Sequence, residues 1–131
     1  MSNKSLGNSF ESEFCELLFE NGFWCHNLAQ NSSGQPADVI AVKDGEAFLI
    51  DCKVCSRGSF ALSRIEENQE LSMELWHECG NGVGWFALKF DEDIYMVAHD
   101  DMRNLKVTQS VITQSDAEIY GYTIEEWLWS R

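Results

Sequence analysis

The sequence predicts an α/β fold, a central mixed β-sheet flanked by helices in the order α-β-β-β-α-β-β. Three observations lead there. Apolar residues recur at helical spacing in the first twenty positions. Two apolar runs then meet at an Asp-Gly pair. A second helical stripe follows, ahead of another pair of apolar runs around an acidic turn.

The first helix is expected over about residues 5–21, where Leu6, Phe10, Phe14, Leu17 and Leu18 fall three and four residues apart. Asn21-Gly22 ends it, because glycine takes the left-handed cap without strain. Phe23 to Leu28 reads as a short strand, and Asn31-Ser32-Ser33-Gly34 as a polar turn. Pro36, the chain's single proline, opens the next strand. Ala37 to Val42 and Ala47 to Val54 are the apolar runs, joined at Asp44-Gly45, a strong hairpin signal. A second helix is expected from about 62 to 79, on a stripe of Leu62, Ile65, Met73, Trp76 and Cys79. Val83 to Phe90 and Ile94 to Ala98 read as strands around Asp91-Glu92-Asp93. The last thirty residues give weaker signals, a strand near Val107 to Ile112 and a short helix from Thr123.

At 131 residues the chain is expected to form one domain spanning 1–131. No apolar run reaches membrane-spanning length, so no membrane partner is expected. Met1 to Ser5 lacks the apolar core of a signal peptide, and the expected location is cytoplasmic. Cys15, Cys25, Cys52, Cys55 and Cys79 are odd in number and scattered through apolar segments. They read as reduced, mostly buried thiols, not as a disulfide framework. The net charge of −13, from 22 acidic and 9 basic residues, is unlike the basic footprint of nucleic-acid binders. The basic residues are uneven, however, and Lys53, Arg57 and Arg64 fall in one short stretch.

The hairpin carries the chemistry. With Asp44-Gly45 as a two-residue turn, Lys43 faces Glu46, and counting outward places Asp38 directly opposite Asp51. Facing carboxylates repel, and both strands are otherwise apolar on both faces, as buried central strands are. Such a pair requires a counter-ion. A hard divalent cation, Mg²⁺ or Mn²⁺, suits carboxylate oxygens best. Lys53, two residues after Asp51, points to the same face. Carboxylate, carboxylate and ammonium together suit phosphodiester hydrolysis: a metal polarises phosphate and activates water, and the lysine orients that water or stabilises developing charge. A lone Asp-x-Lys is ordinarily a solvated ion pair, and a lone Asp before a strand is ordinarily a turn residue. Only the facing register inside apolar strands lifts them above that. Glu11 and Glu13 flank the apolar stripe of the first helix on opposite sides, and the helical wheel does not choose between them.

Gly7-Asn8-Ser9-Phe10-Glu11, Pro36-Ala37-Asp38-Val39-Ile40 and Asp51-Cys52-Lys53 together resemble the G-x-x-F/L-E, (P/A)-D and (D/E)-x-K series of PD-(D/E)XK nucleases. The resemblance covers about residues 7–90. It is closest to the Holliday-junction resolvases, both the archaeal and the RecU-like branches. Those enzymes carry a glutamine on the helix after the lysine strand, and Asn68-Gln69 follows Phe60-Ala61-Leu62-Ser63-Arg64-Ile65 here in a similar pattern. The resemblance selects Glu11 over Glu13. It implies a restriction-endonuclease-like core and a catalytic set of Glu11, Asp38, Asp51, Lys53 and Gln69. Glu11, Asp38 and Asp51 would hold Mg²⁺ or Mn²⁺, Lys53 would be the catalytic lysine, and Gln69 would support the site or the attacking water. Arg57 and Arg64 are the expected DNA contacts. The implied function is a metal-dependent endodeoxyribonuclease on branched DNA, acting as a homodimer because two strands are cut symmetrically. The chain departs from that branch in two respects, Asp51 where glutamate is usual and its strong negative charge. The charge supports an alternative, a catalytically silent protein on this fold whose acidic surface engages a basic partner or imitates DNA.

Cys52-x-x-Cys55, with Cys25-His26 and His77-x-Cys79, is the sequence's other metal-like pattern, but Lys53-Val54 reads as strand instead of the knuckle a zinc pair needs. His26, His77 and His99 have no nucleophile or base partner at a telling spacing and read as packing or surface residues. Trp127-Leu128-Trp129 fits an oligomer contact and the closing of the core equally well.

Overall fold

The computed structural model describes residues 3–28 and 37–131, with side chains from residue 9 onward. The expected turn at 31–34, Pro36 and the side chains of Leu6, Gly7 and Asn8 lie outside the described residues.

Helix α1 (Asn3–Glu20) buries Phe10, Phe14 and Leu18. It ends where Gly22 turns to φ 87° and the Phe23 N–H returns to Leu18 O at 3.0 Å, the glycine cap expected from Asn21-Gly22. The chain reverses into β1 (Trp24–Asn27), β2 (Val39–Lys43) and β3 (Glu46–Val54), a continuous antiparallel ribbon. Asp44 at φ 52° and Gly45 at φ 77° give the tight turn its two positive dihedrals, and Lys43 faces Glu46 as the Asp-Gly pair predicts.

β3 then pairs in parallel with β5 (Trp85–Phe90), which requires a crossover. That crossover contains β4 (Ser59–Ala61), a 3₁₀ turn over Leu62–Arg64, and α2 (Glu67–Glu78). β6 (Asp93–Ala98) returns antiparallel to β5, and β8 (Tyr122–Thr123) closes the edge. The sheet order is β1-β2-β3-β5-β6-β8, while β4 pairs separately with β7 (Val111–Thr113). α3 (His99–Thr108) and α4 (Gln114–Tyr120) flank β7 in the chain, and α5 (Ile124–Trp129) follows β8.

Two apolar layers cover the sheet. Phe10, Phe14, Leu18, Phe23, Val39, Phe48, Ile50 and Trp127 fill the α1 side. Leu49, Met73, Phe86, Leu88, Met102 and Leu105 fill the side of α2 and α3. β3 alternates between the two layers and is paired on both edges, which accounts for its nearly continuous apolar run.

Three expectations need correction. The second helix begins at Glu67, not near 62. Leu62 and Ile65 are buried, but from a 3₁₀ turn and an extended step, and their spacing only imitates a helical stripe. Cys79, assigned to that stripe, is exposed. The strand expected near Val107 to Ile112 is confined to β7, and Val107 is an exposed residue of α3. α3 and α4 escape pattern reading because each presents few apolar residues inward, Met102 and Leu105 on α3 and Ala117 on α4. Their local signals are polar: Thr113 Oγ1 and the Asp116 carboxylate form a capping box at the start of α4. The same box, from Thr123 and Glu126, starts the terminal helix where the sequence puts it.

Trp127 closes the core and Trp129 does not contribute. Trp127 is fully buried, 5.2 Å from the Phe48 ring and 5.7 Å from Phe23, whereas Trp129 is 91 % exposed. Trp127→Ala is therefore expected to lower unfolding free energy by about 3–5 kcal/mol. Trp129→Ala should stay within about 0.5 kcal/mol of the parent. Urea denaturation followed by far-UV circular dichroism measures both, and comparable losses would refute this assignment.

Candidate active site

β2 and β3 hold the predicted register throughout their ladder, ending with Val39 opposite Ile50. One step further, β2 departs from the ladder: the Asp38 N–H turns to Ile50 O at 3.2 Å, and Asp38 O accepts from the Leu28 N–H at 2.7 Å. β3 continues through Asp51, Cys52 and Lys53. Beyond that ladder, the Cys52 N–H takes Asp38 Oδ2 at 2.7 Å. A buried N–H must find an acceptor, and this one anchors the Asp38 carboxylate over the bare edge of β3.

The Asp38 and Asp51 carboxyl groups are in contact, so the two side chains meet as the hairpin suggests, although Asp38 has left the ladder and is not the strand partner of Asp51. Asp51 is fully buried in mid-sheet. Burial first, and the neighbouring Asp38 second, push its carboxyl well above the usual carboxylate range, against the pull of Lys53. Lys53 Nζ lies 3.2 Å from Asp51 Oδ2. That contact misses hydrogen-bond geometry, and Oδ2 has no hydrogen-bond donor among the described residues.

The structure separates the two glutamates that the helical wheel could not. Glu11 hydrogen-bonds to Asp38, while Glu13 pairs with Lys89 at 2.8 Å on the surface. The Glu11 carboxyl is pushed up to about 8, chiefly by burial and then by its contact with Asp38. No sequence pattern could show the Lys89 pairing, because it depends on β5 lying beside β3. Glu11, Asp38 and Asp51 thus form a chain of carboxyl groups linked through Asp38. Among the described residues, no three His, Cys, Asp or Glu side chains converge on a single point with metal-ligand geometry.

Gln69 is buried and inward-facing, on the same face of α2 as Met73. Its Nε2 donates to Asp51 Oδ1 at 3.3 Å. Its Oε1 accepts from Lys53 Nζ at 3.4 Å and from the Glu66 N–H at 3.2 Å. The same side chain therefore starts α2 and clamps the Asp-x-Lys pair. Arg64 lies across the strand exit, its Nη1 donating to Val54 O at 3.0 Å and its guanidinium 4.9 Å from the Phe60 ring. Arg57 is exposed in left-handed backbone at φ 64° in the turn after β3.

The cysteine and histidine patterns do not assemble. Cys52 packs on the α1 side of the sheet and Cys55 on the other. His99 is buried against Phe86, with Nε2 3.7 Å from Glu70, and burial lowers it from its ordinary value. His26 and His77 are exposed.

The carboxylates fit a hard cation in donor chemistry, since oxygen is the only ligand atom they offer and Asp51 Oδ2 is buried without a donor. The carboxyl-to-carboxyl hydrogen bonds require shared protons, which a divalent ion can replace.

Comparison with known proteins places the chain in a family. A relative from Methanocaldococcus jannaschii, a crossover junction endodeoxyribonuclease Hjc, is 26 % identical over 91 residues. That match takes in 70 % of this chain and 64 % of the relative's length. The 1.6 Å structure of Archaeoglobus fulgidus Hjc, a Holliday junction resolvase from an archaeal hyperthermophile, superposes with a TM-score of 0.72 at 18 % identity. It covers 93 % of this chain and 99 % of that one, a likeness of fold. The family model for the archaeal Holliday junction resolvase (Hjc) matches residues 2–128, and on that near-complete match this chain belongs to the Hjc family.

Proposed function

We propose that this protein is a divalent-metal-dependent endodeoxyribonuclease that cuts branched DNA, with the Holliday junction as its substrate class. The observation that carries the reading is the buried Asp38–Asp51 pair, flanked by Lys53 on β3 and Glu11 on α1. Two buried carboxyl groups in contact with a single ammonium beside them raise the free energy of a fold, and carboxylates with a lysine where β2 leaves β3 suit phosphate chemistry.

In this reading Glu11, Asp38 and Asp51 hold Mg²⁺ or Mn²⁺. The bound ion would polarise the scissile phosphate and lower the pKa of a coordinated water. Lys53 is the catalytic lysine. Its ammonium, held by Asp51 and Gln69, is placed to orient the attacking water or to meet charge developing on the phosphate. Gln69 is a positioning residue, fixing the Asp51 carboxylate and the Lys53 ammonium from the far side. Arg57 and Arg64 contact the DNA backbone, and the tether of Arg64 to Val54 O keeps one cation beside the strand that carries Lys53. Two symmetrical cuts require two such sites, so the working form is a homodimer. A DNA substrate places the protein inside the cell, and no helix of the described residues is long and apolar enough to cross a membrane.

Proton occupancy follows from the same geometry. Glu11 keeps its proton to about pH 8 in the fold, against 4.5 for an ordinary glutamate. Without metal, the folded state binds a proton that the unfolded chain has released. Its contribution to stability is fullest below about pH 4.5 and is lost as pH rises through about 8. Metal binding competes with that proton and strengthens in the same interval.

The direct test is cleavage of an end-labelled four-way junction beside matched duplex and single strand, with and without Mg²⁺ or Mn²⁺. Paired, metal-dependent incisions confined to the junction are expected, and Lys53→Ala should abolish them while retaining the fold. A metal-indifferent protein that cuts none of the three would instead favour the silent, acidic binding protein that the net charge of −13 suggests.

Gln69→Ala tests positioning. Loss of its cap should cost about 1 kcal/mol of stability. Cleavage by the folded fraction should slow by about 10–100-fold. A drop in stability with kcat unchanged would leave Gln69 as a helix cap only.

A further inference from the structure

Under α1, on the side of the sheet away from Gln69, two thiols meet. Cys25 Sγ donates to Cys15 Sγ across 3.1 Å. Both are free cysteines, Cys25 buried and Cys15 partly exposed. Their backbones are held from both sides. The turn between them is pinned by Asn21 N–H to Leu18 O at 3.0 Å and by Phe23 N–H to the same oxygen at 3.0 Å. Cys25 is fixed opposite Ala41 in the β1–β2 ladder. Closing this gap to a disulfide of about 2.05 Å takes roughly 1 Å of side-chain movement.

We propose that Cys15 and Cys25 are a reversible redox-modification site, a dithiol that a peroxide converts to a disulfide tying α1 to β1. The Cys15 thiolate, the more accessible sulfur, attacks one peroxide oxygen. The O–O bond breaks, the sulfur becomes a sulfenic acid, and the other oxygen leaves as water or an alcohol. Cys25 Sγ then attacks the Cys15 sulfur, the S–S bond forms, and the sulfenic oxygen departs as water with the second thiol proton. The two thiols together lose two electrons and two protons, and the peroxide accepts both pairs. The hydrogen bond from Cys25 helps the first step by holding the Cys15 thiol below its ordinary pKa. The competing pairings are poorer. Cys55 lies on the opposite face of the sheet, Cys52 is buried on β3, and Cys79 is exposed at the end of α2. The cross-linked loop starts one helical turn after Glu11, so the modification acts on the helix that carries that residue.

The experiment uses the full chain as Cys79→Ser, to prevent cross-linking between molecules, treated in native buffer with hydrogen peroxide. Thiols are then alkylated, counted and mapped by mass spectrometry without reduction. The expected result is loss of two thiols, a mass lower by two hydrogens, a linked pair of peptides bearing Cys15 and Cys25, a raised Tm, and full reversal by dithiothreitol. Cys15→Ser, at a partly exposed position, and Cys25→Ala should each abolish the cross-link. A map showing Cys25 joined to Cys52 would overturn the proposal. So would Cys15 advancing to sulfinic acid while Cys25 stays free. None of these readouts depends on nuclease activity, so the nuclease reading can fail separately.

Discussion

Two carboxyl groups facing each other at the end of the β2–β3 ladder set the terms for everything around them. Asp51 cannot leave, because it lies within β3, paired with Phe86 of β5, and is fully buried. Asp38 is held over it by the Cys52 N–H at 2.7 Å. Each remaining feature of the site answers that fixed repulsion. Lys53 approaches Asp51 from the same face, Gln69 donates to its other oxygen, and Glu11 extends the carboxyl chain onto α1. Without metal, protons shared among the carboxyl groups relieve the charge, which is why burial and mutual contact raise Glu11 and Asp51 together.

The hairpin was legible because strand register is an arithmetic property. Once Asp44-Gly45 is a two-residue turn, the facing pairs are determined as far as Val39 and Ile50, which leaves Asp38 and Asp51 one step beyond the ladder. Lys53 on the face of Asp51 follows from period-two spacing, whereas Gln69 comes only from the pattern shared with the resolvases. The choice of Glu11 over Glu13 was not available from the helix itself. It depends on Lys89, supplied by a strand 76 residues later, drawing Glu13 to the surface. The crossover departs from the sequence pattern for a related reason. Leu62 and Ile65 are buried at the spacing a helix would give, but β4 must pair with the distant β7 before α2 can start. Burial alone does not distinguish those conformations. α3 and α4 leave little trace in the sequence because polar residues and a few inward side chains define them, instead of a stripe.

The charge also has a spatial reading. Much of the acidic excess is on α2, α3, the β5–β6 turn and the C-terminal helices, where Glu74 and Glu70 pair with Arg103 and Lys106 at 3.2 and 3.5 Å. Those exposed pairs add little to stability. Lys53, Arg57 and Arg64 are concentrated instead between β3 and α2, on the chain segment leaving the site. A protein of this kind would bind DNA through few phosphate contacts, and a cation among the carboxylates would remove part of the repulsion just where phosphate must approach.

The central claim is that Asp51 is kept for a cation, not for the fold. Thermal melts of wild type and Asp51→Asn, with and without Mn²⁺ and at pH values on either side of 8, measure this directly. Without metal, Asp51→Asn should match wild-type stability at the lower pH, where protons already relieve the pair, and exceed it by about 0.5–1 kcal/mol at the higher pH, where a repelling charge has been removed. Mn²⁺ should raise the wild-type Tm, more at the higher pH where the competing proton is gone, and should leave the variant unmoved. A variant destabilised by about 3 kcal/mol or more, in a protein whose wild type ignores Mn²⁺, would mark Asp51 as the structural partner of Lys53 and contradict the account.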